Sequence, residues 1–117
     1  MINGEGNLPL FYGGTTMIKF YKLARVDNKV VNLREEGFFL PNNYAMETAV
    51  YKADDGNWYV VELTSGTGLG KGSTRGKAIA NFENNVERVG VKGIENAVRR
   101  SIELYGRTPD HKETEVF

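Results

Sequence analysis

Apolar and polar residues alternate with a period of two near the start of the chain, which is the pattern of a half-buried β-strand. The alternation runs from Ile18 to Val26 and is followed by Asp27-Asn28, two residues that tolerate positive φ. The pattern predicts a hairpin in which Val30 to Leu33 pairs back on the first strand. The apolar run Phe38 to Leu40 lies between the turn-forming stretches Glu35-Glu36-Gly37 and Pro41-Asn42-Asn43, and it is either a short edge strand or a hydrophobic plug in a loop.

A second hairpin is predicted in the middle of the chain. Met46 to Ala53 and Trp58 to Leu63 are rich in β-branched and aromatic residues, and Gly56 between them supplies the left-handed residue of a hairpin loop. The next stretch, Thr64 to Gly72, has glycine at every second position from residue 66 onwards. It is either a loop or a thin, twisted strand.

The period changes to three and four after Thr74, which indicates helices. A first amphipathic helix is predicted between an N-cap at Ser73-Thr74 and an end at Gly90, and a second between residue 91 and Gly106. Strands followed by helices predict an α+β fold of two layers. In this fold an antiparallel sheet of two hairpins precedes two C-terminal amphipathic helices that pack on one face.

Length and composition fit one domain. The chain has 117 residues, of which 40% are hydrophobic and 26% charged, enough for one core and too few for two. Residues 17–107 are expected to form the domain, with an irregular N-terminal arm at 1–16 and a charged tail at 108–117. Since no apolar run approaches the roughly 20 residues of a membrane span and no leader is evident, a soluble cytoplasmic protein is expected.

Charge and cysteine content narrow the function further. The 15 basic and 15 acidic residues cancel, so no overall field selects nucleic acid, membrane surface or acidic substrates. The absence of cysteine excludes disulfide scaffolds, thiolate zinc sites and thiol nucleophiles. Any preference for a charged partner must therefore arise locally.

The glycine-rich stretch from Ser65 to Thr74 is the main candidate for chemistry. It is not a P-loop, because Gly72 separates Lys71 from the next hydroxyl group. It nevertheless offers backbone N–H groups, basic side chains and the start of a helix, which together attract anions. The predicted ligand-binding residues of this stretch are Gly68, Gly70, Lys71, Gly72, Ser73, Thr74 and Arg75. The alternative is that the glycines let another backbone or a helix approach closely.

Aromatic residues and an arginine extend the predicted site. Phe82 or Tyr59 would stack on a base, and whether Trp58 or Tyr59 lies on the sheet face without helices stays open. Arg100 is preferred to Arg99 as a ligand-binding residue, because Arg99 has a glutamate four residues away on both sides.

Asparagines on the predicted first helix are a further candidate group. Asparagine lowers helix propensity, so its presence at positions 81, 84 and 85 suggests a function for the side-chain amides. They would read the hydrogen-bonding edges of a base or a peptide.

The sequence offers no recognisable catalytic arrangement. The only histidine is His111 in the charged tail, and the paired acids Glu35-Glu36 and Asp54-Asp55 lie in turn-like contexts. Zinc-protease and nucleophile-elbow motifs are missing. A non-enzymatic protein without a metal or cofactor is therefore expected.

Two resemblances to known families involve these segments. The residues Ala53 to Leu63, Gly72-Ser73-Thr74 and Ala78 to Asn81 resemble the hairpin, strand and helix of HicB-type antitoxins, which implies toxin and DNA partners. The order of an N-terminal sheet and two C-terminal helices in a small cysteine-free protein resembles phage anti-defence sponges of the first Thoeris anti-defence type. That resemblance implies an oligomer of dimers that sequesters a cyclic ADP-ribose-type signal without cleaving it, in the host cytoplasm.

The resulting functional prediction is a non-enzymatic protein that sequesters a small phosphorylated, nucleotide-like ligand. A homodimer or higher homo-oligomer is expected, because a second helix and an uncovered sheet face leave apolar area in a small domain. The alternative is a protein-binding inhibitor or antitoxin, anti-CRISPR-like or HicB-like, that acts through a sheet edge or face. A nucleic-acid module is disfavoured by the net charge of zero.

Overall fold

The computed structural model of the protein describes residues 16–110. Its elements are, in chain order, β1 (Met17–Val26), β2 (Lys29–Leu40), β3 (Thr48–Lys52), β4 (Trp58–Glu62), β5 (Gly68–Gly72) and α1 (Arg75–Tyr105). The five strands form one antiparallel sheet in which each strand pairs with the next along the chain. The predicted α+β class is confirmed. Within the described residues no helix combines the length and the apolar character that a membrane span requires.

The first hairpin has the predicted turn and a longer second strand than predicted. Asp27 and Asn28 take φ values of 51° and 64°, which matches the twist of a two-residue hairpin turn. β2 does not end at Leu33 but continues to Leu40, so the run from residue 38 is part of a long strand. The close passage of β2 beside β3 at this point requires glycine at position 37. A Cβ atom on Gly37 would lie only 2.5 Å from a backbone carbonyl oxygen of β3.

The hairpin of β1 and β2 bends away from the rest of the sheet. β2 pairs with β3 only from Phe38 to Leu40, whereas it pairs with β1 along the whole length of that strand. The free part of the hairpin reaches the connection between β4 and β5, where the Leu23 N–H donates to the Gly66 carbonyl at 2.9 Å. The sheet is therefore curled, with β1 lying across its far face.

The glycine-rich stretch forms β5, an edge strand, after the predicted second hairpin of β3 and β4. A β-bulge interrupts its pairing, because Val60 lies opposite Gly70 whereas Val61 lies opposite Gly68. Leu69 is thus the extra residue of the bulge, and its side chain is buried in the core next to α1.

The helical part of the sequence forms one element and not the two predicted helices. α1 begins after Thr74, whose side-chain oxygen accepts a hydrogen bond from the Lys77 N–H at 3.2 Å. Gly90 lies inside α1 with φ 81° and ψ 157°, values far from helical ones. The predicted end of a first helix at Gly90 is therefore a kink, after which helical backbone resumes without a connecting loop.

Two hydrophobic clusters lie on opposite sides of the curled sheet. The larger one joins α1 to the sheet and contains Leu40, Val50, Val60, Ala78, Ile79 and Phe82, among others. The smaller one lies on the far face and consists of Phe20, Ala49, Tyr51, Val61 and Leu63. The sheet face without a helix is therefore not an open apolar surface, because β1 contributes Phe20 to its cover.

The chain beyond α1 is anchored to the sheet. Thr108 is fully buried, its hydroxyl donates to the Leu63 carbonyl at 2.7 Å, and its N–H donates to the Thr64 carbonyl at 2.9 Å. Asp110 then pairs with Arg34 of β2 at 3.7 Å. Thr108, predicted to begin the charged tail, is thus part of the fold. The remainder of that tail, and the predicted arm up to residue 15, lie outside the described residues.

Candidate ligand-binding site

The glycines predicted to cradle an anion are used to pack α1 against β5. A Cβ atom on Gly70 would lie 2.8 Å from both the Ala78 carbonyl oxygen and the Phe82 nitrogen. A Cβ atom on Gly72 would lie 2.5 Å from the Ala78 nitrogen. The structure therefore favours the alternative left open by the sequence, in which small residues permit a helix to approach a strand closely.

The amides of these glycines face the sheet. The outward carbonyls of β5 are those of Leu69 and Lys71, which accept hydrogen bonds from the amides of Asn85 at 2.9 Å and Asn81 at 2.6 Å. In a strand the N–H and C=O groups of neighbouring residues point to opposite edges, so Gly70 and Gly72 direct theirs toward β4. The side-chain amides of Asn81 and Asn85 therefore bind a peptide edge, one of the two partners suggested by the sequence. The peptide is β5 of the same chain.

The basic side chains of the predicted site do not converge. The Lys71 ammonium lies over the Tyr59 ring, 5.7 Å from its centroid, and Tyr59 packs on the far-face cluster. The Arg75 guanidinium lies over the Phe38 ring at 4.4 Å, and Phe38 packs on the helix-side cluster. Burial lowers the pKa of Arg75. Lys71 and Arg75 therefore lie on opposite faces of the sheet.

The remaining predicted residues also lie apart from one another. Phe82 is 1% exposed and packs edge-to-face on Tyr44 at 5.8 Å, so its ring cannot stack on a ligand. Ser73 and Thr74 are exposed at the start of α1, and Thr74 caps the helix. Arg100 is exposed on the second half of α1. The structure therefore does not assemble the predicted set around one point.

Tyr59, and not Trp58, lies on the sheet face that carries no helix. Tyr59 lies on the far face, where its ring stacks on Tyr51 at 5.7 Å, whereas Trp58 packs on the cluster under α1. The Tyr59 hydroxyl donates to Asp55 Oδ2 at 2.7 Å. This bond, with the backbone N–H of Asn57, holds the pKa of Asp55 below its ordinary value.

A half-buried charge pair completes the far face. Lys22 Nζ lies 2.6 Å from Glu35 Oε2 and 4.9 Å from the centroid of the Tyr51 ring. Burial acts to lower the pKa of Lys22, but hydrogen bonds with Glu35 and Tyr51 outweigh it and raise the pKa above the ordinary value. Burial raises the pKa of Tyr51 as well. Both groups therefore keep their protons at neutral pH.

A cavity of about 480 Å³ lies on the other side of the sheet, between its β3–β4 end and the second half of α1. We call it the helix–sheet cavity. Its apolar lining consists of Ala45, Met46, Ile94, Val98 and Ile102, and its charged lining of Glu47, Glu62, Glu95, Arg99 and Arg107. The size lies within the roughly 300 to 1,000 Å³ typical of small-molecule sites. This arrangement can bury an apolar group and contact charged groups at the same time.

Glu62 is the buried carboxylate of the cavity, and its oxygens are occupied. Oε1 accepts hydrogen bonds from the Ser65 N–H at 2.9 Å and the Ser65 hydroxyl at 2.6 Å. Oε2 accepts from the Thr64 N–H at 3.1 Å and the Thr64 hydroxyl at 2.6 Å. Glu62 therefore holds the turn after β4 and adds negative charge to the cavity, while Glu95 and Arg99 are exposed at its lining.

Arg99, and not Arg100, lies at the cavity. The preference for Arg100 rested on expected ion pairs of Arg99 with Glu95 and Glu103, but within the described residues no ion pair joins Arg99 to either glutamate. Arg99 follows Val98 and lies one turn after Glu95, so all three line the same space. The sequence feature that could have indicated this position is that Glu95 and Arg99 border the apolar stripe of the helix.

The described residues offer no alternative centre of metal chemistry. Within residues 16–110 no group of three or more His, Asp or Glu side chains is placed to hold a metal ion. His111 lies outside the described range.

Comparison with known proteins adds no assignment. No protein-family model, no curated protein sequence and no solved structure matches the chain.

Proposed function

We propose that the protein is a non-enzymatic binding protein that holds a small organic molecule in the helix–sheet cavity. The observation that carries this proposal is the lining, in which five apolar side chains adjoin charged groups of both signs in a space of about 480 Å³. A cavity that combines a mainly apolar wall with a few charged groups is the usual form of a ligand site. Apolar burial then supplies affinity, and the charges supply orientation.

The loose attachment of the second half of α1 supports a ligand at this position. After the kink at Gly90, Ile94 is the one side chain of the described helix that is classed as buried, at 7% exposure, and Val98 is only partly buried. The helix and the sheet therefore leave space between them where a well-packed core would have filled it. A bound molecule would bury the exposed parts of Ile94, Val98 and Ile102.

This proposal keeps the class of function expected from the sequence but assigns it to a different binding site. Sequestration of a small ligand without catalysis remains the proposal, but the site moves from the glycine-rich stretch to the helix–sheet cavity. Arg99 takes the role first given to Lys71 and Arg75. The nucleotide-like ligand expected from the sequence therefore belongs in the test.

The test is a set of thermal melts with nucleoside monophosphates, cyclic dinucleotides and the free amino acids. A ligand at about 100 times its Kd stabilises the folded state by about 2.7 kcal/mol, which for a domain of this size raises Tm by about 10 °C or more. We expect at least one compound class to raise Tm. The absence of a shift with every compound would contradict the proposal and favour the protein-binding alternative.

Two pairs of variants locate the site. Val98→Phe fills the cavity and is expected to abolish the ligand-induced shift, whereas Val89→Phe, at a 44% exposed position of α1 outside the lining, is expected to retain it. Arg99→Gln is expected to weaken binding of a charged ligand, and the neighbouring Arg100→Gln is the control. Equal loss in both members of a pair would place the site elsewhere.

A further inference from the structure

We infer that the ligand of the helix–sheet cavity is a small zwitterion with an apolar side chain, of the class of free apolar α-amino acids. This inference rests on the proposed function and deepens it. It follows from three properties of the lining: the signs of its charges, their positions relative to the apolar side chains, and the absence of aromatic rings.

Charge disfavours a ligand with several negative groups. The cavity carries three carboxylates, Glu47, Glu62 and Glu95, against two guanidinium groups, Arg99 and Arg107. A di- or triphosphate placed here would meet more acidic than basic side chains, and like charges in a partly buried space repel one another. A ligand that carries one positive and one negative group instead finds a partner of opposite sign for each.

Glu95 and Arg99 are placed to bind such a pair of groups. They lie one helical turn apart on α1, both line the cavity, and no ion pair joins them in the described part of the chain. A ligand carboxylate fits the fork of donors on Arg99, and a ligand ammonium fits the carboxylate of Glu95. Val98 lies between the two and contacts the body of the molecule.

The apolar lining suits a side chain better than a nucleobase. Its members are the non-aromatic residues Ala45, Met46, Ile94, Val98 and Ile102, and none of the described lining residues is Phe, Tyr or Trp. Base recognition commonly uses stacking on an aromatic ring, worth about 1 to 3 kcal/mol per base. Aliphatic walls give no such stacking, but they bury a leucine-like or phenylalanine-like side chain by the hydrophobic effect.

The experiment is isothermal titration calorimetry of the full chain with four probes that differ in one group each. L-leucine and L-phenylalanine carry both charges, N-acetyl-L-leucine lacks the ammonium, and L-leucinamide lacks the carboxylate. We expect one of the amino acids to bind, and each loss of a charge to weaken binding by about tenfold or more, as for truncation of one partner of a charge pair.

Variants assign each charge to a residue. Glu95→Gln is expected to reduce the difference between L-leucine and N-acetyl-L-leucine, and Arg99→Gln the difference between L-leucine and L-leucinamide, with Arg100→Gln as the control. Equal affinity for L-leucine and N-acetyl-L-leucine, or tighter binding of adenosine monophosphate than of any amino acid, would overturn this inference and leave the proposed function standing. If no probe and no member of the melt panel binds, the proposed function falls as well.

Discussion

Two lysines of β1 each face a glutamate of β2 across the hairpin, and they differ mainly in burial. Lys22 and Glu35 are 2.6 Å apart with side chains 19% and 25% exposed, whereas Lys19 and Glu36 are 3.9 Å apart and 62% and 59% exposed. The energy of an ion pair depends on this difference, because solvent weakens the attraction between exposed charges. The exposed Lys19–Glu36 pair therefore serves as a control for the half-buried Lys22–Glu35 pair.

We predict that Lys22→Met lowers the free energy of unfolding by about 1 to 3 kcal/mol, between the values for exposed and buried pairs. Lys19→Met should change it by less than about 0.5 kcal/mol. Urea denaturation at pH 7 measures both. Equal effects of the two substitutions would show that the Lys22 pair adds no more than an exposed one.

Lys22 also determines whether the free energy of unfolding rises or falls with pH in the alkaline range. Because the pKa of Lys22 is raised above 10.5 in the folded protein, its stabilising contribution is fully present below that pH and is lost as the pH rises through the raised pKa. The raised pKa of Tyr51 acts in the same direction. Stability of the wild type, measured by urea denaturation at pH 7 and above about pH 10, should therefore be lower at the higher pH.

A second prediction at the residue scale concerns Asp55. Tyr59→Phe removes the 2.7 Å hydrogen bond to Asp55 Oδ2 and should move the pKa of Asp55 up toward its ordinary value of 3.8. The shift should be partial, because the Asn57 N–H still donates to Oδ1 at 2.9 Å. A carboxyl NMR titration measures it, with Tyr21→Phe as the control. An unchanged Asp55 pKa in Tyr59→Phe would contradict the assignment.

At the scale of elements, the contact between β5 and α1 depends on the absence of side chains on one strand face. Gly70 has no room for a Cβ atom, whereas Gly68, two residues earlier and across the bulge, has no other atom within 4 Å of that position. We predict that Gly70→Ala destabilises the protein by about 1 to 3 kcal/mol, the usual cost of overpacking. Gly68→Ala should be near neutral. Thermal melts of the two variants separate packing from strand propensity, and similar Tm values would contradict the close approach.

The kink in α1 supplies a second pair of glycines. Gly90 has φ 81° and ψ 157°, in a region that is accessible essentially to glycine alone, so Gly90→Ala should cost about 1 to 3 kcal/mol. Gly76 lies in the first turn of the helix with no neighbouring atom within 4 Å, so Gly76→Ala should stabilise the protein by about 0.5 to 1 kcal/mol. Chemical denaturation should show opposite signs. A stabilising Gly90→Ala would mean that α1 straightens without cost.

The elements that the sequence predicted correctly are those specified by local chemistry. Asp27-Asn28 and Gly56 determine two hairpin turns through their own backbone preferences, and Thr74 caps the helix that follows it. The errors arose at two glycines whose local signal had more than one meaning. Gly37 resembled a turn residue but allows β2 to pass close to β3, and Gly90 resembled a helix end but produces a kink.

At the scale of the whole molecule, the candidate site could not be predicted from spacing alone. The helix–sheet cavity combines Met46 before β3, Glu62 at the end of β4 and Ile94 to Ile102 on α1, which become neighbours only when the second half of α1 folds back over the sheet. The local pattern showed that Arg99 borders an apolar stripe. The pattern could not show that this part of the helix is separated from the sheet by a cavity.

The last turn of α1 is tied to the sheet through Thr108, and we predict that this tie controls the mobility of the helix end. Thr108→Val leaves the Leu63 carbonyl without the 2.7 Å bond from the threonine hydroxyl and should cost about 1 to 3 kcal/mol. Hydrogen exchange of residues 91–105 should accelerate more than that of residues 75–89. Uniform acceleration along α1 would show that the tie stabilises the whole domain and not the helix end.

The two asparagines of α1 have a consequence for how copies of this chain can meet. Asn81 and Asn85 occupy the outward carbonyls of β5, so these acceptors are not open to a further strand at that border of the sheet. At the opposite border of the described sheet, the Leu23 N–H of β1 already donates to the Gly66 carbonyl. Main-chain pairing between copies is therefore hindered at both of these borders.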